Sequence, residues 1–453
     1  MEPQPSPTPA SGPSAAPGPD SAPPPGAGPH PGRGSSPGAG SSPGAGSGPG
    51  ARGAAGSRSL APDLARGLML LLIALANVSW HLWGRETGIT HAHLVEGSAL
   101  DKILQALMMI VVDGRSYPLF AFLFGYGMVQ FFRSRTDRGL PERTVRRMLR
   151  RRHWAMLLFG LVHAALLFMG DVLGAYGLAG LLLVWIFFRR RDRTLLVWAG
   201  VMWAVLALVA ALALFGGIMT ILFPEESASA QFAGPSGMQD LTSGAPGFLA
   251  SVLPRLGIWA VLTVAQVAGL AIPIAILLGW VAARRRLLDD PGSHRAALRR
   301  IAVIGIPIGW AGGLPSALYT LGILDIPQQA SWMFSALSSA TGIAAGIGYA
   351  AVFALIAARL QQSRPPLVRA IAAVGERSLT FYLWQSVVFA IVLSNWGFGV
   401  GGWAGTSLAL LIAALTWAAS IPMAALLASR GARGPAERVL RRLTYGRDDR
   451  AAR

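Results

Sequence analysis

The feature that most constrains this chain is a succession of long hydrophobic runs separated by short polar loops. Each run is close to the ~20 residues that a helix needs to cross a bilayer. The runs are Leu64–Leu82, Arg115–Phe132, Trp154–Met169, Val172–Phe188, Thr194–Phe223, Gly257–Ala283, Ile301–Leu321, Trp332–Leu360, Ser378–Trp396 and Ala404–Ala428. Composition agrees, since 53% of the residues are hydrophobic and only 13% are charged, against about 25% charged residues in a soluble protein. The sequence predicts an all-α polytopic membrane protein of about ten transmembrane helices in a lipid bilayer.

The arginines cluster in every second loop. Segment 133–152 contains nine arginines and the tail from Arg430 contains eight, whereas 224–246, 322–331 and 397–403 contain neither lysine nor arginine. Because positive charge marks cytoplasmic loops, this alternation predicts that both termini are cytoplasmic. It also accounts for the net charge of +18, so we do not expect a nucleic-acid partner.

The chain divides into three parts by composition. Residues 1–57 are almost entirely Pro, Gly, Ser and Ala, a composition that predicts a disordered tail. Residues 58–429 form the transmembrane helical domain, and residues 430–453 form a basic cytoplasmic tail. Ala99–Val112 is either an interfacial helix or the first half of a kinked second span. The chain has no cysteine, which excludes disulfides and cysteine-ligated metal sites.

The stretch from His163 to Tyr176 places ionisable groups inside hydrophobic sequence, where they need a reason to be present. His163 lies roughly 14 Å along a span that starts at Trp154; it is either a general base or a structural histidine. Asp171 orients a histidine, holds a cationic or hydroxylated acceptor, or caps the next helix. Along one straight helix its backbone would lie about 12 Å from that of His163, so the two would not pair in that arrangement. Tyr176 is either a hydrogen-bond donor to this site or a packing residue.

Four other residues are candidates, each with a structural alternative. Arg115, at the predicted outer start of the second span, either forms an ion pair or binds an anionic acceptor. Gln385 either lines the same cavity or joins two helices. Asp63 and Arg66 open the first span, where an arginine can hold the phosphates of a cofactor or serve as a cytoplasmic anchor.

Three histidines lie at or beyond the outer end of the first span. His81, His91 and His93, with Glu96 or Asp101, do not have a standard metal-site spacing, so no metal is expected. One of these histidines is an alternative catalytic base. The sequence contains no Walker A loop, GxSxG elbow or HExxH motif, which argues against an ATPase, an ordinary serine hydrolase and a zincin.

Several stretches together resemble the YeiB-like family of bacterial membrane proteins. Residues 61–67 (APDLARG) resemble its LDxxRG opening, and residues 113–127 (DGRSYPLFAFLFGYG) resemble its GKF…LFSxLFGxG stretch. The H…GDxLxxY pattern of residues 163–176 is similar to a third motif. Residues 378–386 (SLTFYLWQS) and 434–446 (GPAE…LTYG) are similar to its C-terminal signature, a domain of unknown function over about residues 250–446. Arg115, Ala121 and Phe381 depart from the usual lysine, serine and asparagine.

The family is similar, in its helical core and its DxxRG opening, to a broad superfamily of membrane acyltransferases. The resemblance implies a protein of the bacterial cytoplasmic membrane that moves an acyl group from cytoplasmic acyl-CoA to an extracytoplasmic glycan or lipid acceptor. By that reading His163 and Asp171 are catalytic, and Arg115, Tyr176 and Gln385 bind the acceptor. Asp63 and Arg66 would bind acyl-CoA at the cytoplasmic mouth. The alternative function is a transporter or exporter of a small solute.

Overall fold

A computed structural model describes residues 60–223 and 234–445. The tail that the sequence predicts to be disordered (1–57) and the last eight residues of the basic tail (446–453) lie outside the described residues. The division into three parts by composition stays a prediction.

The described residues fold almost entirely into helices. Their α-helices are α1 (Leu60–Val78), α2 (Ala99–Val111), α3 (Ser116–Thr136), α4 (Glu142–Leu166), α5 (Leu173–Phe187), α6 (Asp192–Leu222), α7 (Ser236–Thr242), α8 (Phe248–Ala268), α9 (Ala271–Arg284), α10 (Arg295–Thr320), α11 (Met333–Leu360), α12 (Pro366–Glu376), α13 (Ser378–Leu393), α14 (Thr406–Ser429) and α15 (Pro435–Tyr445). Short 3-10 turns occupy Ser79–His81, Gln328–Ala330 and Val400–Gly402. The only extended pairing in the described ranges is an isolated bridge between Thr87 and Leu94.

Seven helical segments of the described chain are long and apolar enough to cross a membrane. They are Leu60–His81, Ala99–Thr136, Asp192–Leu222, Phe248–Ala268, Arg295–Thr320, Gln328–Leu360 and Thr406–Ser429. Three shorter apolar helices accompany them, namely α5, α9 and α13. The prediction of an all-helical, multi-pass membrane protein is confirmed. The count of ten spans and the cytoplasmic placement of both termini stay predictions.

One predicted span is wrong in its extent. Gly257–Ala283 is not a single helix, because the chain breaks between α8 and α9 at Leu270, whose φ of 64° is left-handed. Pro273 follows in the first turn of α9, where its missing N–H is tolerated. In addition, α8 begins at Phe248, nine residues before the predicted start, so Arg255 lies within the helix.

A break at Gly114 joins α2 to α3, as the kinked-span alternative for Ala99–Val112 requires. Ser98 and Asp101 form a capping box that starts α2. Helix α2 ends near Gly114, whose φ of 74° is readily adopted only by glycine, and α3 begins two residues later. Pro118 lies in the first turn of α3 and therefore does not break it.

The C-terminal signature is explained by contacts between α13 and α15. The Glu437 carboxylate accepts hydrogen bonds from the backbone N–H groups of Leu379 (2.8 Å) and Thr380 (3.1 Å) and from the Thr380 hydroxyl (2.5 Å). The first N–H groups of a helix have no partner within the helix, so an acidic side chain from elsewhere can cap it. Glu437 thereby ties the end of the chain to the start of α13.

Replacing this carboxylate should destabilise the bundle. We expect Glu437→Ala to lower the free energy of unfolding by about 1–2 kcal/mol, as loss of a helix cap does. The measurement is thermal unfolding of purified protein in detergent. Glu142→Ala is the matched control, because the Glu142 side chain is 63% exposed and pairs with Arg146 at 3.1 Å; an exposed pair contributes about 0–1 kcal/mol. Equal effects of the two substitutions would contradict the capping role.

Candidate functional site

His163 and Asp171 form a buried pair at the turn between α4 and α5. The His163 Nδ1 atom lies 2.8 Å from the Asp171 Oδ1 atom, and both side chains have zero solvent exposure. The two residues do not share one straight helix, in which they could not pair, because α4 ends at Leu166 and the chain turns back before α5 begins at Leu173. Eight residues on a turn can therefore bring together two side chains that a straight helix would separate.

Three further groups surround the Asp171 carboxylate. The Gly174 N–H (2.7 Å) and the Trp259 Nε1–H (3.3 Å) donate to Oδ2, and the Tyr382 hydroxyl lies 3.5 Å from Oδ1. The Gly174 N–H lies in the first turn of α5, where it has no partner within the helix, so Asp171 satisfies this donor and also holds His163. An ionised carboxylate only accepts hydrogen bonds, so with Asp171 as the carboxylate the Nδ1 atom of His163 is the donor of the bond between them.

This orientation leaves the Nε2 atom of His163 as the acceptor of the neutral ring. Within the described part of the chain, Nε2 is buried and has no hydrogen-bond partner. A histidine with Nδ1–H held by a carboxylate and with Nε2 available is the arrangement that general bases use. The pair is therefore competent to remove a proton from a substrate that reaches Nε2.

His81 and Arg255 lie next to this pair. The His81 ring stacks on Phe168 with 4.8 Å between ring centroids, and His163 and Arg255 are both close enough to His81 to interact with it electrostatically. The His81 Nε2 atom is also buried without a hydrogen-bond partner among the described residues. The cluster thus contains two buried imidazole nitrogens that have no hydrogen-bond partner among the described residues.

Arg255 is a buried cation that no carboxylate neutralises among the residues the structure describes. Its side chain is 2% exposed, it donates to the Ala165 carbonyl (2.8 Å), and its guanidinium lies over the rings of Phe248 (4.9 Å) and Trp396 (5.9 Å). Its Nε atom has no partner in the same described ranges. A buried arginine without a counter-ion is suited to binding an anion.

Close helix packing brings Asp171 to His163. A methyl group on Gly160 of α4 would lie 2.5 Å from the Gly174 nitrogen and 2.8 Å from its Cα, and it would also collide with the Asp171 carboxylate. A methyl group on Gly174 would lie 2.7 Å from the Trp259 ring. The two glycines therefore provide the space in which α5 and α8 approach α4.

Arg115 lies in a different part of the bundle. Its guanidinium is fully buried and donates to the Asp113 and Gly309 carbonyls and, at 2.7 Å, to the Ser338 hydroxyl. The Asp113 carboxylate pairs with His93 instead, at 2.6 Å. Arg115 thus joins the α2–α3 break to α10 and α11 through carbonyl and hydroxyl groups rather than through an acid.

Tyr176 and Gln385 also bond to backbone carbonyls. The Tyr176 hydroxyl donates to Tyr117 at 2.9 Å, and the Gln385 amide donates to Leu70 of α1 at 3.0 Å. These contacts favour the packing and helix-joining alternatives for both residues. The structure therefore brings together His163 and Asp171, and Tyr176 lies close enough to Asp171 and Tyr382 to interact with them electrostatically. Arg115 and Gln385 bond to other parts of the bundle.

Asp63 and Arg66 form an ion pair of 3.0 Å near the start of α1. We call this end of the bundle the basic end, because the arginine-rich loops lie there. The Arg66 guanidinium packs against the backbone of Gly127, where an added methyl group would lie 2.9 Å away. Arg152 is close enough to Arg66 to interact electrostatically. Arg66 lies 15 residues before His81, or about 22 Å along α1.

Three members of the cluster are not identified by the sequence analysis, and a fourth, His81, is assigned without its place beside His163. Arg255 precedes the predicted span, which starts at Gly257, although an arginine in a region otherwise free of positive charge is a signal. Trp259 lies inside that span, where nothing in the hydrophobic pattern marks it as a partner of Asp171. Tyr382 belongs to the C-terminal motif, but nothing local shows that it faces Asp171. His81 was considered only as a metal ligand or alternative base.

Comparison with known proteins agrees with the motifs. A family model described as a protein of unknown function (DUF418) matches residues 282–447. The chain is 25% identical over 398 residues to the uncharacterized protein YxaH of Bacillus subtilis (strain 168), covering 84% of this chain and 93% of that protein. It is 27% identical over 405 residues to the uncharacterized protein YeiB of Escherichia coli (strain K12), covering 84% of this chain and 95% of that protein. No solved structure matches.

The fold and the site define a multi-pass, all-helical membrane protein with a buried histidine–aspartate pair. Within that class the chain resembles YeiB and YxaH along most of its length, and residues 282–447 match the DUF418 model, as the C-terminal motifs indicated.

The close approach at Gly160 can be tested by adding one methyl group. We expect Gly160→Ala to lower the free energy of unfolding by about 1–3 kcal/mol, because an overpacked interface must move apart. Gly200→Ala in α6 is the control, since a Cβ there meets nothing within 4 Å; it should be neutral or stabilising by up to about 1 kcal/mol. Thermal unfolding in detergent measures both, and a fully tolerated Gly160→Ala would contradict the packing argument.

Proposed function

We propose that this protein transfers an acyl group from cytoplasmic acyl-CoA to a hydroxyl or amine of an extracytoplasmic glycan or lipid, in the bacterial cytoplasmic membrane. The observation that carries the proposal is the buried His163, which is bonded to Asp171 through Nδ1 and whose Nε2 atom has no hydrogen-bond partner among the described residues. The resemblance to membrane acyltransferases suggests the same chemistry, with the weight of an analogy between folds.

The proposed reaction uses His163 first as a base and then as an acid. Its Nε2 atom takes the proton of the acceptor O–H or N–H while the acceptor atom attacks the thioester carbonyl. The resulting tetrahedral intermediate collapses, the carbon–sulfur bond breaks, and the imidazolium returns the proton to the departing thiolate. Asp171 stabilises the imidazolium and keeps the ring in one orientation.

Arg255 takes the role that the sequence analysis gave to Arg115. Its buried guanidinium has an Nε–H to donate and lies near His81. A fixed cation in a site of low dielectric stabilises the oxyanion of an acyl-transfer intermediate. Alternatively, the Arg255 guanidinium holds an anionic group of the acceptor. In that arrangement His81, rather than Arg255, donates a hydrogen bond to the oxyanion.

The acyl-CoA would enter from the basic end. The Asp63–Arg66 pair and the neighbouring Arg152 supply guanidinium groups for its phosphates. The pantetheine arm would then have to span the distance of about 22 Å along α1 between Arg66 and His81. Because His163 and Asp171 have no solvent exposure, the helices around them must separate when both substrates are bound.

The first test is acyl-CoA binding and turnover by the purified protein in detergent, beginning with acetyl-CoA. We expect Arg66→Ala to weaken binding, and His163→Ala to keep binding but lose turnover by about 10²–10⁴-fold. His294→Ala is the control, because His294 bonds to the Asp290 carbonyl in an exposed loop. A folded wild-type protein that binds no acyl-CoA of any chain length would overturn the proposal and favour the transporter alternative.

A second test reads the orientation of His163 directly. Asp171→Asn replaces an acceptor by an amide that can keep the bond from the Gly174 N–H while donating to Nδ1. We expect the proton of His163 to move to Nε2, with loss of turnover of about 10⁴-fold, as occurs when an asparagine replaces the aspartate of a catalytic triad. Nitrogen chemical shifts of ¹⁵N-histidine-labelled protein report the tautomer. An unchanged tautomer would show that Asp171 does not control it.

A further inference from the structure

A groove between α4 and α5 lies at the basic end, away from the candidate site. It has a volume of about 510 Å³. Five arginines and an exposed tryptophan line most of it, namely Arg143, Arg146, Arg147, Arg150, Arg189 and Trp185. We refer to these residues as the arginine groove.

Four of the arginines share one face of α4. Positions 143, 146, 147 and 150 are separated by three, one and three residues, the spacing that places side chains on one side of a helix. Other positions in the same turns, Val145, Met148 and Leu149, are buried in the bundle. The arginine face is therefore presented to α5 and to the outside rather than to the core.

The positive charge of the groove is largely uncompensated. Arg146 pairs with Glu142 at 3.1 Å, and within the described residues the other four arginines have no ion-pair partner. Guanidinium groups gathered around one concave surface repel each other, and an anion between them removes that repulsion. Guanidinium also matches the oxygens of a phosphate in bidentate geometry.

The other wall of the groove is apolar and lies on the perimeter of the bundle. Leu181 and Val184 line it, and Trp185 has 86% of its surface exposed. The neighbouring Leu182 and Ile186 are 44% and 45% exposed. An apolar perimeter on a membrane helix contacts lipid chains, and tryptophan is common at the level of the headgroups.

We infer that the arginine groove binds an anionic phospholipid of the surrounding bilayer, with the phosphate among the arginines and an acyl chain along Leu181, Val184 and Trp185. Basic pockets between transmembrane helices on the cytoplasmic side bind lipid headgroups of this kind. The apolar wall opens outward to the bilayer, which favours a lipid over a soluble phosphate. This site is independent of the proposed acyl transfer.

Cytoplasmic anchoring alone does not require such a groove. Arg295, Arg299 and Arg300 lie at the same end, at the start of α10, and are exposed. They carry the same charge as three of the groove arginines but are not among the residues that line the groove. A general attraction to an anionic surface would use both sets equally, whereas a lipid site would depend on the groove alone.

The test is native mass spectrometry of the full chain released from detergent, titrated with phosphatidylglycerol or with phosphatidylcholine of the same acyl chains. We expect the wild type to retain phosphatidylglycerol in preference to phosphatidylcholine. The triple variant R143Q/R147Q/R150Q should bind phosphatidylglycerol roughly tenfold or more weakly. The matched variant R295Q/R299Q/R300Q should bind it like the wild type.

Three results would overturn the inference. Equal loss in both triple variants would show a general surface attraction, and equal retention of the two lipids would show contact with acyl chains only. Displacement of phosphatidylglycerol by inorganic phosphate in modest excess would show a phosphate site rather than a lipid site.

A second variant keeps the test valid if the triple variant does not fold. Trp185→Ala leaves every charge in place and changes a side chain that is 86% exposed, so folding should be unaffected. It should weaken the retention of phosphatidylglycerol while leaving any binding of inorganic phosphate unchanged. Unaltered lipid retention in folded Trp185→Ala protein would contradict the apolar half of the site.

Discussion

The hydrogen bond between His163 and Asp171 is the interaction on which the candidate site depends. A carboxylate at zero exposure in an apolar bundle costs several kcal/mol unless it is paired and hydrogen-bonded. The Gly174 N–H and the Trp259 indole supply the remaining donors, which is why α5 must begin beside α4 and α8 must pack against both. The small Gly160 permits this approach. At the turn between α4 and α5, the close packing of the helices and the hydrogen bond between His163 and Asp171 therefore depend on the same backbone arrangement.

The molecule separates its chemistry between two ends. The His163 cluster, with Arg255 as a buried cation, lies at the end where loops have few positive charges. The Asp63–Arg66 pair and the arginine groove lie at the basic end, where guanidinium groups are suited to anionic ligands. Glu437 ties the end of the described chain to α13, the helix that carries Tyr382 to the site. The motifs that carry the family resemblance therefore contribute to both ends of one bundle.

The residues differ in how far their surroundings could be predicted. His163 and Asp171 stood out because ionisable groups are rare in hydrophobic sequence, yet their partnership depends on a turn that hydrophobicity alone does not mark. Arg115 stood out for the same reason, but its guanidinium donates to the Gly309 carbonyl and the Ser338 hydroxyl, which lie 194 and 223 residues further along the chain. Arg255 was missed because the break at Leu270 displaced the predicted span.

The sequence by itself determined the class of this protein and its family resemblance. Hydrophobic length and arginine alternation are local properties, and a bilayer requires helices wherever such runs occur, so no tertiary contact is needed to infer them. Only the tertiary structure decided which polar groups meet. Asp171 is joined to Trp259 and Tyr382 by contacts across 88 and 211 residues of chain. Such contacts follow from how helices pack and where they end. Neither composition nor helical spacing predicts which side chains will meet across so long a stretch of chain.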